Sequence, residues 1–129
     1  MSTKEQAGRF LIVGVLTVMV DFMTYLLLVA TEVQLDIAKG ISFAAGTVFA
    51  YFANSGWTFS TSRNLVQFSK FLALYIGTLG INVAVNRFVV DAIGDENVRF
   101  AVIVAFLTAT AVSAASNFIG MKYFVFATQ

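Results

Sequence analysis

Asp21, Asn54, Asn82, Arg87 and Asn117 are the side chains best placed to do chemistry here, because each lies in or near the end of a long apolar run. Asp21 stands out among them. It sits near the middle of residues 10–30, a stretch with no other charge. A carboxylate at bilayer depth costs several kcal/mol unless it faces protein or water, so it marks a proton or cation site, or the counter-charge to a partner. Asparagine can donate to and accept from hydroxyls and phosphate oxygens, and arginine presents a two-pronged fork that fits a phosphate.

Composition sets the medium in which that chemistry occurs. The 129 residues are 59% hydrophobic and only 12% charged, about half the charge fraction of a soluble domain. Lipid is therefore the expected solvent. The chain contains no Cys and no His, which removes disulfides, thiolate chemistry and the usual transition-metal ligands. Without a nucleophile–base pair or a metal set, no enzyme is expected and no cofactor is implied. The polar opening MSTKEQAGR, followed by a run too long for a signal h-region, argues against a cleaved signal peptide.

Four apolar segments separate, at about residues 10–30, 37–57, 71–93 and 100–126. Roughly 20 apolar residues at about 1.5 Å each span the hydrocarbon core, and irregular backbone cannot face lipid, so each segment predicts a transmembrane α-helix. The sequence thus predicts an all-α membrane protein, one transmembrane domain over residues 1–129. Its connections TEVQLD, TFSTSRNLVQFSK and GDENVR are short and polar. Lys4, Arg9, Arg63, Lys70 and Lys122 fall on the side of the termini and central loop, with Glu5 the only acid there. Glu32, Asp36, Asp91, Asp95 and Glu96 fall on the other side, with Lys39 and Arg99 at its edges. The positive-inside rule then puts both termini in the cytoplasm and the aromatic finishes at Trp57 and Phe124 at the cytoplasmic interface.

The second half echoes the first. Arg9-Phe10-Leu11 is answered by Lys70-Phe71-Leu72, which sets Asp21 opposite Asn82. Tyr51-x5-Trp57-Thr58-Phe59 is answered by Phe118-x5-Phe124-Val125-Phe126. Two hairpins that both start and end in the cytoplasm form a parallel repeat, one known transporter plan.

Small or polar residues line each span at helical spacing: Gly14, Thr17, Asp21 and Thr24; Ser42, Gly46, Ala50 and Asn54; Tyr75, Thr78, Asn82 and Asn86; Ala105, Ala109, Ser113 and Asn117. Most of these are accounted for by close helix packing and interhelical hydrogen bonds of about 1 kcal/mol. Asp21 is not. Lys39 and Arg87 are the candidate counter-charges. The bland account of Lys39 is snorkelling to the interface, whereas Arg87 could pair with Asp91 or line an outward-facing anion site.

Taken together, RFLIVGVLTVMVDF, YFANSGWTF, KFLALYIGTLGIN and NFIGMKYFVF make the chain resemble the GtrA-like family of small bacterial membrane proteins, over nearly its whole length. The family pattern at each hairpin end is Asn-aromatic, two apolar residues, Asn, basic residues, then aromatic-x-Phe. The first copy keeps Asn54, Trp57 and Phe59, but has Ala50 for the leading Asn and Ser55-Gly56 for the basic pair. The second keeps Asn117, Phe118, Lys122, Phe124 and Phe126, with Met121 at the other Asn position. The missing basic pair weakens any expectation of an arginine-lined cytoplasmic site in the first hairpin.

The resemblance implies flipping of a polyprenyl-phosphate-linked sugar, such as an undecaprenyl phosphate sugar, across the bacterial cytoplasmic (inner) membrane for cell-surface polysaccharide synthesis or modification. Asp21, Asn54, Asn82, Arg87 and Asn117 are the expected substrate-binding residues. Membrane lipids, a membrane glycosyltransferase and a second copy of the chain are the expected partners, with no role for nucleic acid. Two alternatives stand beside this: a membrane scaffold for a glycosyltransferase, and a small proton-coupled multidrug exporter using Asp21.

Overall fold

The computed structural model describes residues 1–127, apart from the side chain of Asp36. It is all-helical. Four α-helices run Thr3–Ala30 (α1), Leu35–Ala53 (α2), Leu65–Ile93 (α3) and Val98–Gly120 (α4). Five-residue π-helical turns, Asn54–Thr58 and Met121–Val125, follow α2 and α4 directly. Among the described residues, three helices (Thr3–Ala30, Leu65–Ile93 and Val98–Val125) are long and apolar enough to cross a membrane. The α2 helix, with Asp36 and Lys39 in its first turns, is not one of them.

The helices start earlier than the apolar runs do. A capping box opens α1, in which Ser2 Oγ accepts from the Glu5 N–H at 3.2 Å and the Glu5 carboxylate accepts from the Ser2 N–H at 2.9 Å. Asn64 Oδ1 accepts from the Gln67 N–H at 2.8 Å and starts α3 inside what reads as a polar loop. Asn97 does the same for α4 through Phe100. Such caps satisfy orphan N–H groups at helix starts, so the polar residues prolong the helices instead of ending them. Gly94, at φ +85°, stops α3.

The chain divides into two compact units, Met1–Arg63 and Asn64–Gln129. The first is the α1–α2 hairpin with its turn. Its seam on α2 is a four-residue ladder of small side chains, Ala38, Ser42, Gly46 and Ala50, all buried and leading to buried Asn54. Residues four apart share a face, and small ones let two backbones approach closely. The two helices come close at Gly46, where an added Cβ would stand 3.3 Å from Asp21 Cβ and 3.4 Å from the Thr17 carbonyl oxygen.

The second unit is the α3–α4 hairpin with its turn. Its α4 seam repeats the ladder with Ala101, Ala105 and Ala109, all buried. Phe71 and Thr78 on α3 are buried as well. Near the end of this hairpin, Leu74 occupies the space beside Gly120 so fully that an added Cβ would meet Leu74 Cδ2 at 2.8 Å. Large apolar side chains such as Leu11, Val18, Ile76 and Phe88 are exposed in both units, the arrangement expected when the surroundings are lipid tails.

Each hairpin closes in the same manner. Phe59 and Phe126, the last aromatic of each finish, are buried, while Trp57 and Phe124 lie outside them. The Arg9 guanidinium lies 5.0 Å from the centre of the Trp57 ring and donates to the Trp57 carbonyl at 2.8 Å. Lys70 stands 5.4 Å from the Phe124 ring centre. A cation over an aromatic face contributes about 0.5–1 kcal/mol when exposed, and more when desolvated. The basic opening of each long helix is thus pinned to the aromatic finish of the helix that follows.

Candidate functional site

Asp21 lies near the middle of α1, and its partner comes from α2. Lys39 Nζ donates to both carboxylate oxygens at 3.0 Å. The carboxylate side chain is 20% exposed and the lysine 61%, so the acid is the sheltered member of the pair. Lys39 Nζ also lies 6.0 Å from the centre of the Tyr25 ring. Lys39 therefore does not simply reach for the interface. The glycine at position 46 lets α2 come close enough for the carboxylate to lie along the seam.

The matching position in the second hairpin is built without charge. Asn82 Nδ2 donates to Ser113 Oγ across the α3–α4 seam at 3.0 Å. Taken at the register of the two turns, Ser113 corresponds to Gly46 and Phe106 to Lys39. Where the first hairpin has an acid, a glycine and a lysine, the second has an amide, a hydroxyl and a phenyl ring.

Arg87 lies on the exposed side of α3, one turn beyond Asn82. The two share an open groove of about 430 Å³ with Asn86 and Asp91. Arg87 and Asp91 form no ion pair there. An open arginine beside two asparagines is a surface that can accept hydroxyls and an anion.

Asn54 and Asn117 have other surroundings. Asn54 is 2% exposed, and its side-chain oxygen accepts from Thr58 Oγ1 at 2.8 Å. It holds the first π turn together from inside. Asn117 lies near the end of α4 with its side-chain oxygen buried and without a hydrogen-bond partner among the described residues. A buried acceptor left unpaired is costly and calls for a donor from elsewhere. An open, mostly apolar groove of about 500 Å³ lies nearby on α3 and α4, lined by Leu74, Gly77, Ile81, Ser116 and Gly120.

The structure also brings forward residues that sequence reasoning passed over. Ser60, at φ +52°, reverses the chain after the first π turn, and the Thr61 N–H then bonds back to the Ser55 carbonyl at 2.8 Å. This return carries Arg63 over the turn. Its guanidinium donates to Ser55 Oγ at 3.3 Å and lies 5.1 Å from the Phe52 ring centre. The same Arg63 nitrogen is 3.3 Å from where a Cβ on Gly56 would be. An arginine therefore does stand at the end of the first hairpin, supplied by the loop and not by the turn. Among the described residues, no three carboxylates gather into a group that could hold a metal ion.

Helical hairpins with apolar exteriors, each holding a polar contact within its seam, define a multi-pass membrane protein. Residues 9–127 match the GtrA/DPMS transmembrane domain, and the chain belongs to that family. The family is associated with translocation of polyprenyl-linked sugars, and its members are typically non-catalytic. The chain is also similar to the uncharacterised membrane protein YngA of Bacillus subtilis (strain 168), with 32% identity over 121 residues, 92% of this chain and 78% of the relative. No solved structure gives a significant match.

Proposed function

We propose that this protein moves a polyprenyl-phosphate-linked sugar across the bacterial cytoplasmic membrane, with both termini on the cytoplasmic side, for cell-surface polysaccharide synthesis. The observation that carries this reading is the polar contact within the seam of each hairpin, Asp21–Lys39 in one and Asn82–Ser113 in the other. A carrier of this kind must shelter a charged phosphate and a polar sugar while the prenyl chain stays in lipid. Polar groups part-way along apolar helices supply such stations, because an exposed hydroxyl in hydrocarbon loses its hydrogen bonds to water. Asn82, Asn86 and Arg87 suit the sugar and phosphate, and the apolar groove beside Gly120 suits the prenyl chain.

The exporter alternative draws less support. A drug-binding carboxylate must be available to an incoming cation, and Asp21 already engages Lys39 with both oxygens.

Reconstitution into liposomes with a labelled polyprenyl phosphate sugar tests the proposal. Protein-dependent movement between leaflets is the expected result. If the lipid stays in its leaflet while a co-reconstituted glycosyltransferase gains activity on the cytoplasmic side, the scaffold reading replaces it.

A further inference from the structure

The Ser55-Gly56 step leaves the first hairpin end without a cation of its own, while the corresponding turn of the second hairpin carries Lys122. At the common register Ser55 is the counterpart of Lys122, and Arg63 donates to that same Ser55. We infer that Arg63, folded back onto Ser55, Gly56 and Phe52, is the phosphate-binding cation of the first hairpin, with Arg9 held separately at Trp57 of the same turn.

Three physical features support this assignment. First, the guanidinium is held in place. The Ser60 reversal, the Thr61–Ser55 backbone bond, the Phe52 ring and Ser55 Oγ all fix it. A pre-positioned fork loses less freedom on binding an anion than a loose lysine would. Second, donors remain. Arg63 spends one N–H on Ser55 and Arg9 spends one on the Trp57 carbonyl, out of about five on each guanidinium. Third, among the described residues no carboxylate forms an ion pair with either arginine. Glu5, one helical turn before Arg9, is engaged with the Ser2 N–H at the helix cap and feels the Arg9 charge only beyond ion-pair distance. Two arginines held against one five-residue turn, with donors to spare and no carboxylate in ion-pair contact, present positive charge that a phosphate oxyanion would complete.

The assignment rests on the translocation proposal only for the identity of the phosphate bearer, so binding is measured apart from transport. Trp57 is the one tryptophan in the chain and adjoins Gly56, so its fluorescence is a built-in probe. The full chain in neutral phosphatidylcholine nanodiscs is titrated with polyprenyl phosphate, uncharged polyprenol, phosphatidylglycerol and inorganic phosphate. Polyprenyl phosphate should give a saturable change that polyprenol does not. Arg63→Ala should weaken it about tenfold or more, the usual effect of losing a hydrogen bond to a charged group.

Unchanged binding in Arg63→Ala or an equal response to polyprenol overturns the assignment. Arg63→Lys guards against misfolding, since it keeps the charge and should fall between wild type and alanine. Equal saturation by phosphatidylglycerol upholds the phosphate site and makes the bulk headgroup its ligand. Saturation by inorganic phosphate at a similar concentration upholds it as a site for free phosphate. If binding depends on Arg63 but liposomes show no translocation, the transport proposal fails and the site stands.

Discussion

Asp21 and Lys39, on different helices of the first hairpin, meet with both carboxylate oxygens 3.0 Å from the ammonium nitrogen. The pair is asymmetric in exposure, and that decides what each half does when the other is removed. A lysine freed of its acid has a long stem with which to reach water or headgroups, whereas a sheltered carboxylate has no such route.

Lys39→Met should therefore be the more damaging single change. It is expected to cost about 1–3 kcal/mol of stability, the range for a sheltered polar group left unpaired. Asp21→Asn should cost less, and the double variant should recover much of the loss seen in Lys39→Met. Thermal unfolding of the four proteins in one detergent gives the comparison. A double variant less stable than Lys39→Met would show that the carboxylate has a further partner.

Placing a charge at the matching position of the other hairpin should be harmful. Asn82→Asp has no lysine opposite it, because Phe106 stands where the first hairpin has Lys39. The substitution is expected to destabilise by about 1–3 kcal/mol. Adding Phe106→Lys should restore part of the loss, by recreating the ion pair in the second hairpin. Failure of that rescue, measured by unfolding at neutral pH, would mean that the two seams differ in register.

Gly120 is predicted to be intolerant of a methyl group. Leu74 fills the space beside it, so Gly120→Ala should cost about 1–3 kcal/mol, as overpacking does. Leu74→Ala in the same molecule removes the clash. The double variant should then be more stable than Gly120→Ala alone, even though leucine-to-alanine changes usually destabilise.

The guanidinium over the first turn should be sensitive to its glycine floor. Gly56→Ala puts a carbon 3.3 Å from the Arg63 nitrogen, close enough to move the end of a flexible side chain but not the backbone. Overall stability should change by less than about 1 kcal/mol, while the Trp57 response to polyprenyl phosphate weakens. An unchanged response would place the ligand elsewhere.

How much of this was readable in advance varies from element to element. The four helices were visible as apolar runs, but their starts were not, because Ser2, Asn64 and Asn97 look like loop residues until they are seen capping. The seams were legible as four-residue ladders, since small residues on a common face have a packing consequence whatever the partner. The Asp21 partner was harder. Lys39 lies 18 residues away, and only the register of α1 against α2, set by close contact at Gly46, brings the two level. Asn54 was read as a site residue from its type, yet its oxygen serves Thr58 within the turn. Arg63 was legible as a cation of the central loop, but its place over the first turn was not, because a left-handed Ser60 is not predictable from serine.

The π turns have one further consequence. A π turn holds about one residue more than an α turn of the same rise, and each α-helical residue advances the chain by about 100°. Within Asn54–Thr58, losing one residue would let the backbone relax into an ordinary α-helix with every hydrogen bond still made. Trp57 and everything after it would keep nearly the same direction, because the residue lost is the one that the wider turn had absorbed. Length variation of one residue in this segment is thus taken up by the turn itself, and relatives that differ here by one residue would be shortened copies whose faces are unchanged.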